Sequence, residues 1–222
     1  MTATGNSTLE AYERWAPAYP PIAHNPLMRA EQRSMSELWP QVTGSCVLDL
    51  ACGSGRYAQL LLAGGAAHVV ALDFCLPMLD QVCDATRVRA SMMRLPFRDA
   101  VFDHVICGLA LGHVSGLQAW MREVARVLRA GGTFLYSDFH PEAARAGMTR
   151  SFKDEHNATW IVPHEIHELA AQQQALSIAG LRVEATREIR VGSELCEPFP
   201  GSERVYRDWH GLPLVLVVRA RK

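Results

Sequence analysis

Apolar and polar positions along the chain alternate between two rhythms. Short runs dense in Val, Ile, Leu and Phe lie at 46–50, 68–72, 103–108 and 132–138, and each reads as a buried strand. Between them, 55–63, 76–85 and 116–129 have the composition and spacing of helices, and 87–90 is a short extended piece. In the last helix Leu117, Trp120, Met121, Val124 and Leu128 form one stripe, and the pair Gly131 and Gly132 supplies a left-handed stop. Such alternation predicts a parallel sheet covered by helices on both faces. Upstream, 9–18 is helical, the prolines at 17, 20, 21 and 26 break the chain, and 27–39 resumes helical character. Residues 1–40 therefore read as a helical lid on a domain spanning 41–222. Beyond 138 the rhythm changes: 139–162 is mixed and polar, a helix is expected over 164–179, and strands over 181–191 and 212–220. The segment 139–165 reads as a cap over the substrate.

Bulk composition narrows the picture. At 222 residues the chain fits one elaborated domain. Its 22 basic and 23 acidic residues provide no basic field to gather nucleic acid. The six cysteines have no Cys-x-x-Cys spacing and read as free thiols in a reducing compartment. No signal-type core opens the sequence, and no apolar stretch approaches the roughly 20 residues that cross a bilayer. The expectation is a cytoplasmic protein with neither membrane nor nucleic-acid partners, a monomer or a homodimer.

Candidate chemistry begins in VLDLACGSGRYA, where a strand passes into a helix through Gly53 and Gly55. A glycine turn at a helix start lets a ligand approach the backbone and offers N–H groups to an anion, though an ordinary strand-to-helix turn also uses glycines. Asp73 ends the next strand, at the roughly 20-residue separation at which α/β nucleoside sites place an acid on ribose hydroxyls. The residue two beyond Gly55 is Tyr57 rather than a glycine or other small residue, and nothing else suggests nicotinamide.

These motifs, with RLPF at 94–97, FDHV at 102–105 and REVARVLRAGG at 122–132, resemble the class I S-adenosylmethionine-dependent methyltransferases, in particular their type 11, UbiE-like small-molecule group. The resemblance is close over about 45–138. It implies a doubly wound, Rossmann-like α/β fold with a seven-stranded sheet, mostly parallel, ending in an antiparallel hairpin. It also implies S-adenosyl-L-methionine as cofactor, with Asp49, Ala51, Gly53 and Gly55 at its methionine part, Asp73 on the ribose diol and Phe74 beside adenine. Ser91 stands where the family often has an acid, its hydroxyl and the Met92 N–H being left to serve the adenine; a solvated or capping Ser91 is the alternative. Ala51 replaces the first glycine, read as a sterically mild change. Tyr12 and Tyr19 match the family's lid over bound cofactor, while Trp15 is assigned to packing.

The expected activity is methyl transfer to an oxygen or nitrogen of a small, acidic metabolite. Alternatives are another use of the same cofactor, or a cofactor-binding subunit without catalysis. His113, at the rim after 103–108, is a candidate base, with loop packing as its alternative. Asp138 and His140 are a candidate carboxylate–imidazole pair, with a capping role as the alternative. His164 and His167 share a helical face if 164–179 is a helix, and without further ligands no metal is expected. Arg145, Arg150, Lys153 and His156 read either as a solvated loop or as a clamp for a carboxylate or phosphate.

Overall fold

The computed structural model describes residues 2–4, 7–154 and 158–222; His156 lies outside the described residues. In chain order the elements are β1 (Thr2–Thr4), α1 (Thr8–Trp15), α2 (Pro26–Glu37), β2 (Cys46–Leu50), α3 (Arg56–Ala63), β3 (His68–Asp73), α4 (Leu76–Leu79), β4 (Thr86–Arg89), β5 (Phe102–Gly108), α5 (Leu117–Val127) and β6 (Leu128–Phe139). They continue with α6 (Pro141–Arg145), β7 (Ser151–Lys153), β8 (Thr159–Ile161), α7 (Leu169–Ile178), β9 (Arg182–Arg190), α8 (Ser202–Trp209) and β10 (Pro213–Arg221).

Seven strands form the main sheet in the order β4-β3-β2-β5-β6-β10-β9. Pairing is parallel from β4 to β6, and β10 runs antiparallel to both β6 and β9. The period of two along each strand sorts its side chains: Leu48, Leu50, Phe134 and Tyr136 join the core under α5 and α7, while Val47 and Leu135 join the core under α2 and α3. Both faces are therefore covered, as the alternation predicted. The strand order reverses between β2 and β5, and open α/β sheets bind ligands at the carboxyl ends beside such a reversal.

Around this frame the boundaries differ from expectation. α4 ends at Leu79 rather than 85 because Val82 turns in to pack against Gly55 and Asp84 takes a left-handed φ of 61°. α5 stops at Val127, where Leu128 is already extended (ψ 139°), so the left-handed Gly131 bends β6 instead of ending the helix. The helix expected over 164–179 starts only at Leu169. Ahead of it the chain runs as a strap, with the Glu165 N–H bonded to the Gly112 carbonyl (2.7 Å) and the His167 ring to the Val114 carbonyl (2.8 Å). His164 and His167 consequently share no helix face, and no group of metal-ligating side chains occurs among the described residues. The polar stretch after β6 contains a second, three-stranded sheet, β1-β8-β7, in which the N-terminal strand joins the cap.

Candidate active site

A cleft of about 570 Å³ opens over the carboxyl ends of β2, β3, β5 and β6, roofed by α1, α2 and the stretch 148–151. Its floor on the β2–β3 side is built by the glycine turn. Ala51, Gly53 and Gly55 all have left-handed backbone (φ 56°, 55° and 88°), which curls the chain tightly between β2 and α3. Asp73 fixes that turn from the next strand, accepting the Gly53 N–H (2.7 Å) and the Cys75 N–H (2.8 Å). Asp49 accepts the Ala58 N–H (2.8 Å) at the start of α3.

Both acids line the cleft, both are raised above ordinary carboxylate values chiefly by burial, and Asp49 reaches about 7. Among the described residues neither forms an ion pair. Two buried carboxylates without a direct ion pair, Arg56 acting on Asp49 only at longer range, favour a ligand rich in hydrogen-bond donors and carrying positive charge, and a nucleoside diol with an ammonium and a sulfonium meets that requirement. A Cβ built on Gly53 meets nothing within 4 Å, so the cleft reaches the backbone there. Phe74, Ser91 and Met92 line the same end. Ser91 also caps its own turn by accepting the Met93 N–H (3.2 Å).

Two expectations for this floor are corrected. Gly55 does not line the cleft; a side chain there would strike Val82 at 2.9 Å, so the position answers to packing and backbone. Ala51 is not a mild replacement, because left-handed backbone costs an L-residue roughly 1–2 kcal/mol.

Over β5 and β6 the chemistry is different. The Arg150 guanidinium is buried against the Phe139 ring (4.6 Å) and donates to Asp138 (2.8 Å), to the Leu109 carbonyl and to the Tyr12 hydroxyl (3.2 Å). Tyr12 in turn meets His113 Nε2 at 3.0 Å. Burial, aided by Arg150 and His164, pulls His113 down to about 3, so the ring is neutral at physiological pH and weak as a base. Tyr19 lines the cleft edge-on to Trp15 (4.7 Å), and burial pushes its phenol up to about 12. Trp15 packs as expected, stacking on Phe152 (4.7 Å), and lines the cleft as well.

Asp138 and His140 are not brought together. Asp138 faces Arg150 and the Gly112 N–H, whereas His140 caps α6 through the Glu142 N–H (3.2 Å) and lies 3.6 Å from Glu188, outside the cleft. The capping reading of His140 is the one the geometry matches. Arg145 pairs with Glu168 on the surface, leaving Arg150 as the member of the basic stretch that lines the cleft among the described residues.

Sequence reasoning also missed a buried joint. Glu31 of α2, fully buried, accepts from Arg56 (2.8 Å), the Tyr57 hydroxyl (2.7 Å) and the Ser137 hydroxyl (2.5 Å), tying the lid to α3 and β6. Its only sequence signal was an acid on the apolar side of an amphipathic helix.

Comparison with known proteins agrees with this geometry. Residues 48–136 match a family model described as a methyltransferase domain. Demethylmenaquinone methyltransferase of Mycolicibacterium vanbaalenii is 41% identical over 95 residues, 42% of this chain and 41% of that protein. The chain spans about half the length of the curated relatives it matches. A solved S-adenosylmethionine-dependent methyltransferase from Mesorhizobium loti superposes with a TM-score of 0.72 at 23% identity, covering 87% of this chain and 98% of the other. Geranyl diphosphate C-methyltransferase from Streptomyces coelicolor, solved with S-adenosyl-L-homocysteine, superposes at 0.65 and 14% identity over 88% of this chain and 78% of its own. Residues 48–136 thus carry a methyltransferase-domain pattern on a Rossmann-like methyltransferase fold, and the resemblance to class I S-adenosylmethionine-dependent methyltransferases holds.

Proposed function

We propose that this chain is an S-adenosylmethionine-dependent methyltransferase acting on an oxygen or nitrogen of a small metabolite. The observation that carries the reading is the pair Asp49 and Asp73, without direct ion pairs among the described residues, lining one end of a cleft whose other end lies over β5 and β6. In this reading Asp73 holds the ribose diol, Ala51 and Gly53 pass the methionine part, and Phe74, Ser91 and Met92 border the adenine. The cofactor supplies an electrophilic methyl group whose bond to sulfur breaks with the electron pair left on sulfur. The protein's share is to hold donor and acceptor in line and to exclude water, for which α1, α2 and the stretch 148–151 form the roof.

Ring-carbon methylation of a quinol is a second reading, favoured by the curated relatives named demethylmenaquinone methyltransferases. Calorimetry with S-adenosylhomocysteine, followed by transfer of labelled methyl to a panel of phenols, carboxylic acids, amines and quinols, tests both. The proposal expects Asp73-dependent binding and labelled product, and the bond formed separates the two readings. No binding would overturn it.

A further inference from the structure

We infer that the chamber over β5 and β6 takes the methyl acceptor as an oxyanion, with Arg150 as the residue that selects it. This rests on the methyltransferase reading of the same cleft.

The argument starts from charge placement. Asp49 and Asp73 are the acids lining the cleft, and both belong to its β2–β3 end; Arg56, also on the lining, is taken up by its ion pair with Glu31 (2.8 Å). Around Tyr12, Leu109, Phe139 and Met148 the lining is apolar or neutral apart from Arg150. The carboxylate paired with that guanidinium does not line the cleft: Asp138 stands behind it, facing a separate small cavity beside the 164–167 strap. The pair is thus oriented, cation toward the chamber and anion away from it.

Arg150 is held there from three sides. Asp138 on β6 takes one amino group, while the Leu109 carbonyl and the Tyr12 hydroxyl share the other. Leu109 adopts a left-handed φ of 57° beyond the end of β5, a conformation a bulky residue holds only when its surroundings enforce it. The Arg150 Nε–H is buried and has no hydrogen-bond partner among the described residues. That atom has no accessible surface and is not a ligand contact; Arg150 nonetheless lines the cleft, and an oxygen anion there would gain a charge-assisted hydrogen bond. Tyr12 adds a second contact, because Arg150 can only donate to its oxygen, leaving the phenol proton to point at His113 or at a ligand.

The titratable and charged groups around Arg150 are Asp138, Tyr12, Tyr19 and His113, with His164 next to His113. None lining the chamber is a strong base, so an acceptor that arrives ionised, leaving no proton to be removed, suits it. The apolar walls call for a small body bearing one such oxygen.

The test uses the whole chain saturated with S-adenosylhomocysteine and two probes, benzoate and 4-nitrophenol, whose phenolate absorbs visible light and whose phenol does not. Both should bind, 4-nitrophenol as phenolate even below its solution pKa. Arg150→Gln should weaken both at least tenfold while the affinity for S-adenosylhomocysteine stays unchanged. Because that variant leaves Asp138 buried without its partner, the double variant Arg150→Gln/Asp138→Asn serves as the control that keeps the pair neutral, and it should show the same loss. If neither anion binds, if 4-nitrophenol binds in its neutral form, or if the double variant binds the probes normally, the inference fails. Failure to bind S-adenosylhomocysteine at all would instead remove the methyltransferase reading.

Discussion

The two ends of the cleft sit on adjacent strands and are built by opposite means. At the β2–β3 end, main-chain curvature dominates: a left-handed turn, backbone N–H groups and two carboxylates without direct ion pairs among the described residues. At the β5–β6 end, side chains reaching in from distant segments dominate, and the lone arginine is held by a carboxylate, a carbonyl and a phenol. One end is a local device that any strand-turn-helix can carry, and the other is an assembly that exists only once lid, cap and sheet have met. The first suits a ligand common to many enzymes, the second a ligand specific to one.

The most damaging way to break this arrangement is to cut the joint between lid and floor. Glu31→Ala removes the acceptor for Arg56, Tyr57 and Ser137 at once and leaves Arg56 as a buried, unpaired charge. Breaking such a pair costs about 3–5 kcal/mol, which urea denaturation would read as a lower midpoint. Glu31→Gln should recover only part of the loss, because its single carbonyl oxygen can accept on one side while its amide nitrogen can only donate. A midpoint unchanged in the alanine variant would mean that the lid docks by apolar packing alone.

A narrower cut separates the two ends. Asp73→Ala should weaken S-adenosylhomocysteine binding by about 1.5–3 kcal/mol, the range for hydrogen bonds to a charged group, while leaving benzoate binding in the other chamber within a factor of about three. Calorimetry with each ligand checks both halves of that statement. Equal losses for both ligands would show that the ends act as one site.

How much of each end could be read from sequence follows from the same contrast. Gly53, Asp49 and Asp73 were legible because their partners lie near in sequence: the Asp73 to Gly53 bond spans 20 positions and the Asp49 to Ala58 bond spans 9. A parallel sheet with helices on both faces follows from period and alternation, while the seven strands and the antiparallel end followed from the family resemblance and the strand order appears only in the structure. The β5–β6 end was not legible, since Tyr12 meets His113 across 101 positions and Arg150 across 138. Nothing local to Arg150 distinguishes it from a solvated loop residue, because its burial depends on β7 pairing with β8 and on α1 lying alongside. The proximity of Asp138 and His140 misled for a related reason: the chain leaves the strand at Phe139, and His140 swings out to start α6.

Acidity also tells the ends apart, with opposite signs. Asp49 has its folded pKa raised from 3.8 to about 7, so its contribution to stability is full below about 4 and is lost as pH rises through 7. His113 is lowered from 6.5 to about 3, so its contribution is full above 6.5 and is lost as pH falls toward 3. Melting temperatures across pH 3 to 9 should therefore fall less between about pH 4 and 7 in Asp49→Asn and less below about pH 6.5 in His113→Gln than in the wild type. Identical profiles for either variant and the wild type would show that the group titrates alike in folded and unfolded chains.

The smallest effect concerns a single dihedral on the floor. Ala51 stands at φ 56°, where its Cβ crowds the backbone at a cost of roughly 1–2 kcal/mol. Replacing it by glycine removes that strain but frees the unfolded chain by about 0.4–1 kcal/mol, so Ala51→Gly should gain about 0.5–1 kcal/mol net. Leu109 at φ 57° is the matching position on the acceptor side, yet its side chain also packs against the core of the α2 face. Leu109→Gly should accordingly lose the stability of that packing and show no gain. If both substitutions stabilise, strain is shared alike by the two ends; a gain at 51 alone, read by urea denaturation, identifies the floor as the end whose backbone is strained without compensating contacts.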